Sequence, residues 1–271
     1  MQEHGLSRRL ACRTVRVARS GSYRPTPAKD DGPVIAAIEA YIRENPTCGF
    51  DKLYAFFHKQ KARFPWGKSR LARVYRQMAL NMPRRGKKRL PTRIREPLAI
   101  PPEPNRVWSA DFMADALWSG RRYRTFNVLD DYNREGLKIE VDISLPAPRV
   151  TRVLDELVEL RGKPDTPRLD NGPELVSQAL ALWARRHGIR LQFIQPGKPT
   201  QNALIERFNR TLRTEVLNCY IFETLGEVRR MTRDWLERYN HQRPHEALGN
   251  LTPVEYRMAN YPQSLLLNGP K

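Results

Sequence analysis

The sequence predicts an α/β protein in which a mixed five-stranded sheet is flanked by helices and preceded by a small all-helical module. Two observations lead there. From residue 105 onward, apolar residues first alternate with polar ones, as strands require, and later recur every three to four positions, as helices require. Residues 34–81 carry helical spacing alone, and a proline-rich stretch separates the two regions.

Residues 1–33 form a basic N-terminal segment ending in YRPTPAKDDGP (23–33), read as weakly structured. Residues 34–82 are the helical module. Val34, Ile35, Ile38, Tyr41 and Ile42 mark its first helix, and Leu53, Phe56 and Phe57 its second, after the break at Thr47-Cys48-Gly49. Leu71, Val74, Tyr75, Met78 and Leu80 mark the third, after Pro65-Trp66-Gly67. The last helix is laced with Lys68, Arg70, Arg73 and Arg76, so the unit reads as a helix-turn-helix that contacts DNA through Arg70 and Arg73. Residues 83–104 are an extended linker in which Arg84, Arg85, Lys87, Lys88 and Arg89 point to phosphate contact.

The α/β core spans 105–222. Strands are expected at Val107–Met113, Tyr123–Leu129 and Leu137–Val141, joined by turns at Ser119-Gly120 and DDYNREG (130–136). A helix follows with Val150, Val153, Leu154, Leu157 and Leu160 on one stripe, closed by Gly162. A short strand at Thr166–Leu169 runs into Asp170. A helix over 174–187 ends at Gly188, and 189–194 alternates as the fifth strand. The loop PGKPTQN (196–202) leads to a helix over 203–217, and residues 223–271 make a C-terminal helix and tail.

Composition narrows the function. The net charge is +19 with a pI near 10.3, which points to a polyanionic partner. Residues 1–100 hold 23 Lys and Arg against 7 Asp and Glu, whereas 101–271 hold 25 against 22. A basic front and a nearly neutral, patterned back suit an enzyme that handles nucleic acid better than a ribosomal or histone-like protein. Three widely spaced cysteines (Cys12, Cys48, Cys219) predict no disulfide framework and favour a reducing cytoplasm. His4, Cys12, Cys48 and His58 lack the paired short spacings of a zinc site. No apolar stretch approaches the ~20 residues that span a bilayer, and the N-terminus lacks the apolar centre of a signal peptide.

Three acids stand out. Asp111 lies in WSADF (108–112), Asp170 in RLDNGPEL (168–175) and Glu206 in QNALIERFNRTLR (201–213), with 58 and then 35 residues between them. An acid inside an apolar strand must be paired, metal-bound or turned outward. Asp170 is exposed at a sheet end by the Asn-Gly turn after it. Glu206 lies off the apolar stripe Ile205, Phe208, Leu212 and Val216, on a face shared with Asn202, Asn209, Arg210 and Arg213. Three such carboxylates, on two strands and a helix, can converge on two divalent cations about 4 Å apart, the arrangement for in-line phosphoryl displacement. Asp115, Asp130, Asp131, Asp142 and Asp165 sit at strand ends or in turns, where aspartate is common for local reasons.

The residues that carry a resemblance are WSADFMADALWSGRRYRTFNVLDDYNREGL (108–137), RLDNGPEL (168–175), FIQPGKPTQNALIERFNRTLRTEVLN (193–218) and YNHQRPHEALGNLTPVEY (239–256). In these the chain resembles the retroviral-integrase superfamily, most closely the second-reading-frame transposases of bacterial insertion sequences. Leu169 and Arg207 depart from the usual pattern, which frequently has a small polar residue and a serine there. The resemblance implies a ribonuclease H-like core in which Asp111, Asp170 and Glu206 bind two Mg²⁺ ions, Mn²⁺ substituting. It implies that Arg213 contacts the transposon end, that Lys198, Gln201 and Asn202 touch DNA, and that Asn171 and Gly172 shape the turn after the second acid. Arg210 joins the DNA-facing set. Tyr239, Asn240, Arg243, Pro244 and His245 match the tail motif, read as mainly structural.

The expected activity is DNA cleavage at element ends and strand transfer by 3′-hydroxyl attack. Expected partners are double-stranded DNA, further copies of the chain and an upstream-frame transposase protein, in the nucleoid-bearing cytoplasm of a bacterium. The alternatives are a ribonuclease H-fold nuclease that cuts without joining and a non-catalytic helix-turn-helix DNA-binding protein.

Overall fold

The computed structural model describes residues 7–16, 18, 30–81, 100–195 and 199–261. The linker cations Arg84, Arg85, Lys87, Lys88 and Arg89, and the loop residue Lys198, lie outside the described residues.

Within the N-terminal segment, where little structure was expected, Arg8–Thr14 forms a helix (α1). Ser7 caps it, its Oγ accepting the Leu10 N–H at 3.3 Å. The helical module follows as α2 (Gly32–Glu44), α3 (Phe50–Lys59) and α4 (Lys68–Gln77). Each buries one stripe against the others: Val34 and Ile38, Leu53 and Phe57, Leu71 and Val74. Phe57 stacks on Phe64 with ring centroids 4.4 Å apart, closing the centre of this core.

The sheet has the order β3-β2-β1-β4-β5. Its strands are β1 (Val107–Ala116), β2 (Arg122–Asp130), β3 (Gly136–Asp142), β4 (Thr166–Leu169) and β5 (Gln192–Phe193). The first three are antiparallel, and β4 and β5 continue the sheet parallel to β1. This is the ribonuclease H-like arrangement. Strand β1 runs three residues past the expected end because Ala114, Asp115 and Ala116 pair with Arg124, Tyr123 and Arg122. Strand β5 is shorter than expected, since Ile189 is used to cap the preceding helix, its N–H bonding the Ala184 carbonyl.

Side chains alternate across β1 and β2, so the sheet serves two cores. Trp108, Ala110, Phe126 and Val128 face α5 (Ala147–Arg161) and α6 (Gln178–His187). Met113, Tyr123 and Leu129 face α7 (Ala203–Leu212) and α8 (Leu225–His241). Helix α6 starts at Gln178 rather than 174, because the Ser177 hydroxyl caps the Leu180 N–H. Helix α7 gives way to a π turn, Arg213–Leu217, where a continuous helix was expected.

Beyond α8, a short turn (Glu246–Leu248) and α9 (Pro253–Asn260) fold the tail back on the core. Asn240 pairs with both backbone groups of Gly136, accepting its N–H at 2.9 Å and donating to its carbonyl at 2.8 Å. Leu236 and Phe208 pack directly on the bare backbone of Gly136, where a Cβ would strike both side chains well inside contact distance. At the other end of the sheet, Arg168 of β4 forms a buried ion pair with Asp131 at 2.6 Å. Asp131 also accepts the Ser109 hydroxyl at 2.6 Å. That triangle fixes β4 beside β1, and with it the strand end that carries Asp170.

Candidate active site

Asp111 sits in the middle of β1 on the face turned to α7, opposite Asn127 of β2. One carboxylate oxygen accepts the Phe112 N–H and the other accepts the Asn209 side-chain amide, both at 2.8 Å. Asn209 in turn accepts from Asn127 at 2.7 Å. This chain of amides holds the carboxylate in one orientation and joins β2, β1 and α7. Burial pushes the Asp111 carboxyl up to about 6, with the negative charges of Asp170 and Glu206 adding to it; the Phe112 and Asn209 hydrogen bonds oppose the rise.

Glu206 lies in the first turn of α7, exposed, on the wall of an open cleft of about 420 Å³ that it shares with Asp111, Asn209, Arg210 and Arg213. Asp170 follows β4 and stands apart from that cleft. Its carboxylate accepts the Gly172 N–H at 3.0 Å, and Asn171 donates to the Ile194 carbonyl at 2.9 Å, so the turn is tied to itself and to the end of β5. Glu174 in the same loop pairs with Arg124 of β2, whose guanidinium lies 4.3 Å above the Phe112 ring. The loop is thereby clamped to the sheet beside Asp111.

The three acids are thus electrostatically coupled but not closed on one point. Among the described residues, no three His, Cys, Asp or Glu side chains are gathered closely enough to hold a metal ion. The donor set nonetheless fits a hard divalent cation: three carboxylates, with neither thiolate nor imidazole. Like charges that raise the Asp111 carboxyl are what a cation bound among them would relieve.

The predicted DNA-facing residues divide. Arg210 is exposed in the cleft, with no acidic partner among the described residues. Arg213 lines the same cleft but is held by Asp115 at 3.0 Å and by the Ala114 carbonyl at 2.9 Å. Arg70 and Arg73 both engage Asp31, Arg73 at 2.7 Å, and their hydrogen bonds hold that carboxyl below its ordinary range. Asn202 is buried, 3% exposed, so its side chain is not offered at the surface. Gln201 accepts the Gln195 N–H at 2.9 Å. Residues without a predicted positioning role do more: Asn209, Asn127 and Arg124 position Asp111 and the Asp170 loop. The one sequence signal for Asn209 was a polar residue three places from Glu206, at helical spacing.

Comparison with known proteins agrees with this architecture. Two family descriptions, each "Integrase core domain", match residues 101–199 and 187–253. The chain is 40% identical over 252 residues to an uncharacterized 31.7 kDa protein of insertion element IS407 from Burkholderia multivorans, covering 93% of this chain and 90% of that one. It is 36% identical over 264 residues to a 39.2 kDa protein of insertion element IS476 from Xanthomonas euvesicatoria, covering 96% and 75%. A putative transposase of insertion sequence IS986/IS6110 from Mycobacterium tuberculosis is 28% identical over 171 residues, 60% of this chain and 61% of its own. With the integrase core matched across the whole sheet and two insertion-element proteins aligned over 93% and 96% of this chain, the chain belongs to the insertion-sequence transposases of the integrase superfamily.

Proposed function

We propose that this transposase is a metal-dependent polynucleotidyl transferase that cleaves DNA at the ends of its element and joins the freed 3′-hydroxyl to a phosphodiester elsewhere. The observation that carries this reading is the open cleft in an integrase-type core that Asp111 and Glu206 share with Arg210 and Arg213, with Asp170 near enough to act on the Asp111 charge. Asp111, Asp170 and Glu206 are the proposed ligands of two Mg²⁺ ions, for which Mn²⁺ can stand in. Bound there, such ions supply a Lewis acid that activates the attacking oxygen and offsets charge on the phosphate.

The protein's own groups supply the rest. Asn209 and the Phe112 amide keep the Asp111 carboxylate turned into the cleft. Arg210 offers an uncommitted charge to the DNA backbone beside Glu206, and Arg213 is pre-positioned by Asp115. The Arg124–Glu174 clamp keeps the Asp170 loop within reach. Reaction by direct displacement requires no covalent enzyme intermediate and relies on positioning. Two element ends must meet, so the working form is proposed to be an assembly of copies on double-stranded DNA, with an upstream-frame protein as its second component.

The test is a plasmid nicking and end-joining assay with Mg²⁺, using wild type and Glu206→Gln. Both activities should fall in the variant by at least about a hundredfold, with its unfolding midpoint unchanged. Equal activity in the variant would remove the carboxylate assignment. Nicking without joining by wild type would leave a nuclease.

A further inference from the structure

On the flank of α7 away from the cleft lies a second cavity, of about 570 Å³, which the proposed chemistry does not use. Four separate segments build it. Lys52 comes from α3 of the helical module, Arg134 from the turn between β2 and β3, Arg207 from α7, and Arg243, His245 and Glu246 from the segment after α8. Its volume falls within the range of roughly 300–1,000 Å³ typical of small-molecule sites.

The charges around it are unbalanced. Arg243 is matched by Glu215 at 2.8 Å, both side chains almost buried at 11% and 8% exposed. Lys52, Arg134 and Arg207 form no hydrogen bond or ion pair with an acid among the described residues. Glu246 is the single acid on the wall. Burial, then the charge of Arg243, holds the Lys52 ammonium below its ordinary value; burial, then Arg207, does the same to Arg134. His245 is pushed down to about 3 by burial and then by Arg243, Lys52 and Arg134, and its Nε2 is buried without a hydrogen-bond partner. Arg207 is exposed and Lys52 and Arg134 are half-buried, so three cations converge on one open space with the unpartnered His245 nitrogen beside them.

The geometry points to a phosphodiester subsite: this cavity takes a backbone phosphate of DNA between the helical module and the core, an assignment that rests on the DNA-transferase reading above. A backbone phosphodiester presents two charged non-bridging oxygens, which guanidinium and ammonium donors arriving from separate segments can share. Arg207 follows Glu206 on α7, about 100° further round the helix. A phosphate held by Arg207 therefore lies one residue from the proposed catalytic acid, on the neighbouring helix face. The same phosphate would lie between Lys52 and Arg134, easing their mutual repulsion, and so bridge the module to the core.

The experiment measures binding of full-length protein to duplex DNA in EDTA, so that catalysis plays no part, across a range of salt. Each phosphate contact contributes about 0.9 to the slope of log K against log salt. Arg134→Gln combined with Arg207→Gln should lower that slope by about 0.9 and weaken binding equally on unrelated sequences. Arg152→Gln, which removes a charge from the exposed surface of α5, should leave the slope unchanged. Arg207→Lys reports on folding and should retain the slope. A double variant with the wild-type slope overturns the subsite while leaving the DNA-transferase reading intact, whereas wild type that binds no duplex DNA overturns both. Inorganic phosphate alone forms a second arm: if it stabilises wild type but not the double variant while the DNA slope stays constant, the cavity takes free phosphate, and the DNA assignment is wrong.

Discussion

Asp111 shows how a single residue is set by its surroundings. In the fold it releases its proton near 6, against 3.8 for the ordinary side chain. A carboxyl raised in this way favours the folded state fully below the unfolded value, and that contribution is lost as pH rises through 6. Without metal, Asp111→Asn should therefore gain stability relative to wild type between pH 4 and pH 8, by up to about 3 kcal/mol, read from urea midpoints in EDTA. A constant difference across that range would contradict the raised carboxyl, whose chief cause is burial. Asn209→Ala removes one hydrogen bond from Asp111 and leaves the Asn127 amide buried without its acceptor. It should cost about 1–3 kcal/mol and move the Asp111 carboxyl further upward, which carboxyl NMR measures. Spacing proposes the three acids, but it says nothing of the role of Asn209, because a polar residue on a helix looks alike whether it meets water or a strand.

At the scale of elements, the packing of α7 and α8 on the sheet depends on one position. Gly136→Ala places a methyl group against Leu236 and Phe208. The expected loss is about 1–3 kcal/mol, measured by thermal or urea unfolding, and retained stability would show that α8 can shift. The three antiparallel strands, α5 and the apolar stripe of α7 were readable because amphipathic periods of two and 3.6 survive in the sequence. The ends were less readable. Strand β1 is prolonged by its partner, β5 is cut short by the cap of α6, and the π turn after α7 carries Glu215, whose partners Thr47, Trp235 and Arg243 lie elsewhere in the chain. Of the predicted boundaries, β4 coincides with the structure, since Asp170 ends it through a side-chain turn that is local in sequence.

Across the whole molecule, the helical module is latched to the core through Glu215. This residue accepts the Thr47 hydroxyl at 3.1 Å, the Trp235 indole N–H at 2.9 Å and the Arg243 guanidinium at 2.8 Å. Thr47 belongs to the module, Trp235 to α8 and Arg243 to the tail, so one carboxylate joins three parts of the chain. Arg243→Ala leaves that carboxylate buried and unpaired, which typically costs about 3–5 kcal/mol. Unfolding should come earlier, and limited proteolysis should cut between module and core sooner than in wild type. An unchanged digestion pattern would show that the other contacts suffice. The interfacial pair Lys59–Glu255 is more exposed and should contribute little.

The sequence alone determined the α/β class and the helical module ahead of it, and it put forward the three acids and a polyanionic partner, because charge imbalance and hydrophobic period are carried by residues one after another. The tertiary structure decided which polar groups meet. It set Asn209 on Asp111, tied Arg213 to Asp115, drew Arg70 and Arg73 onto Asp31 and buried Asn202, and it gathered Lys52, Arg134 and Arg207 around one cavity. These partners lie up to 155 residues apart, from Lys52 to Arg207. No local pattern records such a pairing; only the closing of the chain on itself produces it.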